Sequence, residues 1–219
     1  MSDSTSRFVL IAVLAAGLAP WVPACTSTYY KTMEYFGKEK RDILASRVQA
    51  ARTGQAEAKQ QFESALDRFS KLVNADGGDL KKAYDKAKSD LETSESKAQD
   101  VRDRIKSVES VGADLFAEWQ KEIGQYTSPD LKSKSQAQLD STRRKYNEML
   151  GAMKRAEAGM DPVLAAFKDN VLFLKHNLNA QAVASMRGTV TELEGQIAAL
   201  IKDMERSMAE ADRFVADLK

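Results

Sequence analysis

The chain has 219 residues, with 33 Lys and Arg against 32 Asp and Glu, a net charge of +1, one cysteine and one histidine. So even a balance argues against nucleic acid as the main partner, which calls for a clustered basic excess. One histidine and one cysteine exclude a zinc site of ordinary type and a disulfide within the chain.

Residues 8–19, FVLIAVLAAGLA, form an uninterrupted apolar run behind Arg7. The run fits the core of a secretory signal and falls short of the ~20 residues a bilayer-spanning helix needs. The preceding MSDSTSR is only weakly charged, because Asp3 offsets Arg7. Pro20 and Pro23 then stop a helix and extend the chain, and Ala24 supplies the small residue a signal peptidase needs before its cut. A signal peptide over 1–24 is expected, and its removal leaves the net charge unchanged. Val22-Pro23-Ala24-Cys25 resembles a bacterial lipobox, whose cysteine is acylated and becomes the mature N-terminus; Pro23 departs from the usual pattern. The alternatives are a plain cut after Ala24 and an uncleaved anchor. Lipid attachment at Cys25, with a short linker over 25–28, is the reading adopted. A thiol so far in sequence from His176 is a poor nucleophile candidate.

Helix breakers are sparse beyond the leader, and residues 29–219 read as a single all-α domain. The first segment runs from about Tyr29 to Val73 and closes at NADGGD, where Gly77 or Gly78 suits a left-handed cap and Asp79 can cap the next helix. Its apolar residues Leu44, Val48, Ala51, Ala58, Phe62, Ala65, Phe69 and Leu72 recur in steps of three and four, with Gln55 in the seam. The second segment, Leu80 to about Tyr126, carries Leu80, Tyr84, Ala87, Leu91, Ser94, Ala98, Val101, Ile105, Val108, Gly112, Leu115 and Trp119. It stops at TSPD, where Ser128 suits an N-cap, Pro129 the first helical position, and Asp130 the positive helix end.

The third segment, reaching about Leu178, carries Leu139, Tyr146, Met149, Met153, Ala156, Met160, Val163, Phe167, Val171, Leu174 and Leu178. Pro162 interrupts it, yet the stripe continues, so a kink is expected; if Asp161 instead capped a reversed helix, there would be five. The fourth, Ala180 to Leu218, carries Met186, Val190, Leu193, Ile197, Leu200, Met204, Ala211, Phe214 and Leu218. Repeats of this length mean coiled-coil packing, and short connections make neighbours antiparallel. The expected fold is an elongated antiparallel bundle of four long helices, the third kinked at Pro162. Alanine at seam positions 51, 58, 65, 87 and 98 implies closely spaced helices. NADGGD and KHNLNA would share one end, with the TSPD turn and C-terminus at the other, nearer Cys25.

Chemistry-bearing patterns are few. NADGGD lacks the alternating oxygen ligands of a calcium loop, and no phosphate-cradling glycine pattern occurs. No metal, cofactor or catalytic residue is expected. Tyr84, Tyr146, Met149, Met153 and Met160 read as core. The unusual stretch is FKDNVLFLKHNLNAQAVASMRG, where residues 171–174 are apolar all round a helix before an Asn-rich turn. Its bland reading is a well-buried helix whose asparagines satisfy free backbone groups. Its functional reading is an interaction tip formed by Asp76, Asp79, Phe173, Lys175, His176, Asn177 and Asn179. Tyr29, Tyr30, Tyr35 and Phe36, among Lys31, Lys38, Lys40 and Arg41, suit either a lipid headgroup region or the bundle base.

STYYKTMEYFGKEKRDIL, QFESALDRFSKLVNADGGDL and MDPVLAAFKDNVLFLKHNLNA together resemble an uncharacterised family of bacterial secreted or lipid-anchored helical coiled-coil proteins, a domain of unknown function. The likeness runs from about Ser27 to the C-terminus. It implies an envelope location and helical structure, and supplies no catalytic residue. Thr26, by analogy with enterobacterial lipoproteins, implies the outer membrane.

The function expected is a non-enzymatic bacterial cell-envelope lipoprotein on the periplasmic side, anchored in the outer membrane through Cys25. It would act as scaffold, spacer or adaptor for another envelope protein, with a homo-oligomer open to it. The alternatives are a coiled coil that binds or remodels membrane surfaces, and a small-ligand binder using seam polar residues such as Gln55, Ser94 and Thr142.

Overall fold

The computed structural model describes residues 40–74 and 79–218. The described residues all belong to one compact unit. The leader, Cys25, the aromatic and basic stretch before Lys40, and turn residues 75–78 lie outside the described residues.

Every regular element among the described residues is a helix: α1 (Lys40–Asn74), α2 (Leu80–Ile123), α3 (Pro129–Ala158), α4 (Met160–His176), α5 (Ala180–Ser185) and α6 (Arg187–Leu218). The protein is all-α. Two starts follow the sequence directly. Asp79 accepts from the Lys82 N–H at 3.0 Å, and Ser128 accepts from the Leu131 N–H at 3.4 Å, with Pro129 first in α3. α2 ends three residues before Tyr126, its last turn tightened by the Gly124 N–H donating to the Lys121 carbonyl at 3.2 Å.

Around Pro162 the helix is interrupted at Gly159, which keeps right-handed helical angles (φ −70°, ψ −16°) and donates to the Arg155 carbonyl at 3.1 Å. Pro162, third in α4, has no N–H to offer the carbonyl of Ala158, where α3 stops. Asp161 caps nothing; its carboxylate accepts from Arg102 of α2. The segment from Ala180 onward also divides, at Met186, into the one-turn α5 and the long α6.

Long helices pack side by side: α1 on α2 and α6, α3 on α2 and α6, and α4 on α2 and α6. Polar contacts give the directions. Between α1 and α2 they pair Arg68 with Asp90, Glu57 with Lys97 and Lys40 with Glu118. Between α1 and α6 they pair Ser70 with Glu194, Lys59 with Glu205 and Arg52 with Asp212. Between α2 and α3 they pair Arg102 with Glu157 and Trp119 with Ser135. Numbers rise on one helix as they fall on the other, so each of these pairs is antiparallel. Most of these ion pairs are partly exposed and add little to stability. They mark register, while stability comes from the apolar interior.

That interior holds most of the seam, including Val48, Phe62, Val101, Ile105, Met153, Phe167, Leu193 and Met204. Where the structure departs from heptad counting, it follows helix geometry. Val73 is buried where Leu72 was expected, and Phe116 takes the place of Leu115. Leu80, Tyr84 and Trp119 are only half-buried, and Leu178 is exposed. A straight α-helix drifts by ~20° per heptad against a 3.5-residue repeat, so a stripe extrapolated in sevens slides off the buried face.

Candidate functional site

The candidate tip grows from the last turns of α4. Val171 and Leu174, three apart, are buried, which turns Leu172 and Phe173 outward at 48% and 41% exposure. Leu178 in the following turn is exposed as well. Lys175 and His176 are exposed in the last helical turn, where positive charge suits the helix C-terminus.

The asparagines close the backbone. Asn177 donates through Nδ2 to the Phe173 carbonyl at 2.9 Å, and its N–H reaches the Leu174 carbonyl at 3.2 Å. Asn179 is the N-cap of α5, its Oδ1 accepting from the Ala182 N–H at 2.9 Å. Both side chains therefore have a local structural task, as the bland reading anticipated. Phe173, Lys175 and His176 are exposed, as is Asn179 beside its capping bond.

Beneath Phe173 lies a notch of about 260 Å³, lined by Asp169, Asn170, Phe173, Ser185, Met186 and Thr189. Asn170 in its wall is hydrogen-bonded at both ends of its amide: Nδ2 donates to the Ala166 carbonyl at 2.8 Å, and Oδ1 accepts from Thr189 Oγ1 at 3.0 Å. Asp79 lines a different depression, about 340 Å³, between the end of α1 and the start of α2, floored by Phe69, Leu72, Leu80, Ala83 and Ala87. The two depressions share no lining residue. Asp79 and Phe173 thus belong to separate surfaces, although the Phe69–Phe167 ring contact at 5.4 Å puts the end of α1 against α4. Asp76 lies outside the described residues.

A polar cluster in that second depression escaped the sequence reading. Asp90 is 3% exposed and receives both arms of the Arg68 guanidinium, at 2.7 and 2.8 Å, with Lys86 Nζ at 3.2 Å. Gln61 Nε2 lies 3.2 Å from the Asp90 carbonyl and 3.3 Å from Ser94 Oγ. A buried carboxylate is tolerated only with such partners. The sequence signal was faint, since Asp90 merely flanks the seam residue Leu91.

The seam polar residues behave as core. Gln55 is fully buried and accepts from Ser207 Oγ at 2.8 Å, while its Nε2 has no partner among the described residues. Ser94 donates to the Asp90 carbonyl at 2.7 Å. Among the described residues no group of three His, Cys, Asp or Glu is placed to hold a metal ion, and no helix is long and apolar enough to cross a membrane.

The model of a family described as a protein of unknown function, DUF2959, matches residues 29–218, and the chain belongs to that family. No curated protein matches it.

Proposed function

We propose that this member of the DUF2959 family is a non-enzymatic bacterial cell-envelope protein, a tethered helical scaffold or adaptor. In this reading residues 1–24 are removed, Cys25 carries lipid in the outer membrane, and the domain lies on the periplasmic side. The domain is a single antiparallel four-rod bundle. Within it α3 and α4 form one rod, bent near Gly159, where Pro162 has no N–H to offer the Ala158 carbonyl. An envelope protein docks at the end where α4 finishes, on the surface around Leu172, Phe173, Lys175 and His176.

The observation that supports the reading is the disposition of apolar side chains. Most seam positions are filled, while Leu172 and Phe173 in the last turns of α4 and Leu178 just after it are exposed. A solvent-facing run of this kind marks interaction surfaces more often than isolated exposed leucines do. The test is crosslinking in intact envelopes followed by purification of the native chain and of a Phe173→Ser variant. A partner recovered with the parent and lost with the variant is expected; recovery of the bait alone from both would sink the adaptor role. Mass analysis of the mature N-terminus tests the tether separately, with a diacylated or triacylated Cys25 as the expected result.

A further inference from the structure

The structure carries a second exposed apolar pair at the opposite end of α1. Lys40 pairs with Glu118 of α2 at 2.7 Å, and Lys145 of α3 pairs with Asp217 near the end of α6 at 2.8 Å. Past these contacts the α2–α3 hairpin continues beyond the described start of α1 and the end of α6. It is held together by Trp119 Nε1 donating to Ser135 Oγ at 3.0 Å and by Gln120 with Gln136 at 3.2 Å. At its turn Tyr126 and Leu131 are 43% and 52% exposed. Leu131 is the most exposed large hydrophobic residue among those described.

The charges around this turn are Lys121, Glu122, Asp130, Lys132 and Lys134. Asp130 is taken by Lys134 at 2.7 Å. Lys121 and Lys132 form no ion pair among the described residues, against one similarly unpaired Glu122. A tyrosine and a leucine between unpaired lysines match the interface of an anionic bilayer, where amphipathic rings sit at headgroup level and lysines meet lipid phosphate.

We infer that the α2–α3 hairpin turn rests on the lipid surface, with Tyr126 and Leu131 entering the bilayer interface and Lys121 and Lys132 facing lipid phosphates. The inference rests on the tethered reading above. In that reading the tether precedes Lys40 in sequence, and Lys40 sits at the hairpin end of α1. α1 then carries the chain about 50 Å to the far end, at 1.5 Å per residue, where Phe173 lies clear of the surface.

The experiment uses the full chain with p-benzoylphenylalanine at position 126, 131 or 173. All three positions are exposed, and unchanged circular dichroism confirms that each variant folds. Each is incorporated into vesicles of phosphatidylethanolamine and phosphatidylglycerol, floated and irradiated, and lipid adducts are weighed. Lipid adducts from 126 and 131 at several times the yield from 173 are expected. Protein that floats but gives equal yields, or a higher yield at 173, overturns the hairpin placement and leaves the tether intact. Adducts from 126 to protein in irradiated envelopes overturn it too. Failure of every variant to float removes the tethered reading and this inference with it.

Discussion

A methyl group placed on Gly112 would lie 2.4 Å from both Cζ and Oη of Tyr146, closer than any real contact. Tyr146 is 5% exposed, donates to the Val108 carbonyl at 3.2 Å, and stacks edge-on against Phe116 at 5.2 Å. Phe214 of α6 closes its other side at 5.9 Å. Gly112 is therefore the space into which the tyrosine of the neighbouring helix fits. Gly112→Ala should cost about 1–3 kcal/mol by overpacking. Urea denaturation checks this, and the penalty should shrink in a Tyr146→Leu background, where the ring is gone.

The same burial, helped by the negative charge of Glu109, pushes the Tyr146 hydroxyl up to about 12. A free tyrosine ionises near ~10. Between the two values the unfolded chain has released its proton and the folded chain has not, so stability falls as pH rises through that window. Below about pH 10 the contribution is fully present. Denaturation midpoints at about pH 8 and about pH 11 should differ less in a Tyr146→Phe variant than in the parent. An equal difference in both would show that other groups dominate.

At the scale of elements, the three side-chain caps differ in quality. Asn179 holds Ala182 at 2.9 Å and Asp79 holds Lys82 at 3.0 Å, whereas Ser128 reaches Leu131 only at 3.4 Å. Loss of a cap costs ~0.5–2 kcal/mol. Asn179→Ala should fall in the upper part of that range and Ser128→Ala in the lower. Because α5 is a single turn, the Asn179 effect should appear first as faster amide exchange at Ala182. Asp79, Ser128 and Pro129 were all readable as helix starts, since capping depends on a few neighbouring residues. The break at Gly159 was readable only as a disturbance near Pro162. A glycine with ordinary helical angles gives no local sign of where a weakened helix will part.

At the scale of the described unit, the buried Gln55–Ser207 pair joins α1 to α6 through the core. One arm of the amide is unpartnered among the described residues, a cost of ~1–3 kcal/mol that an apolar layer would avoid. Core polar residues of this kind fix register in helical bundles at the expense of stability. A Gln55→Leu, Ser207→Ala double variant should unfold at higher urea, with broader amide resonances as alternative registers become accessible. A lower midpoint would show that the pair stabilises outright.

Apolar periodicity alone determined that the chain is helical, where most of the interior lies, and that Gln55 and Ser94 sit within it, because a helix repeats over distances a sequence displays. Only the tertiary structure decided which of Leu72 or Val73, and Leu115 or Phe116, turns inward, since that depends on the true helical pitch and on the helix opposite. It also decided that Asp90 could be buried, because its partners Arg68 and Gln61 come from another helix. The candidate tip divides along the same line. Its asparagines were legible as turn residues from their neighbours, but the exposure of Phe173 and its separation from Asp79 depend on how distant helices pack.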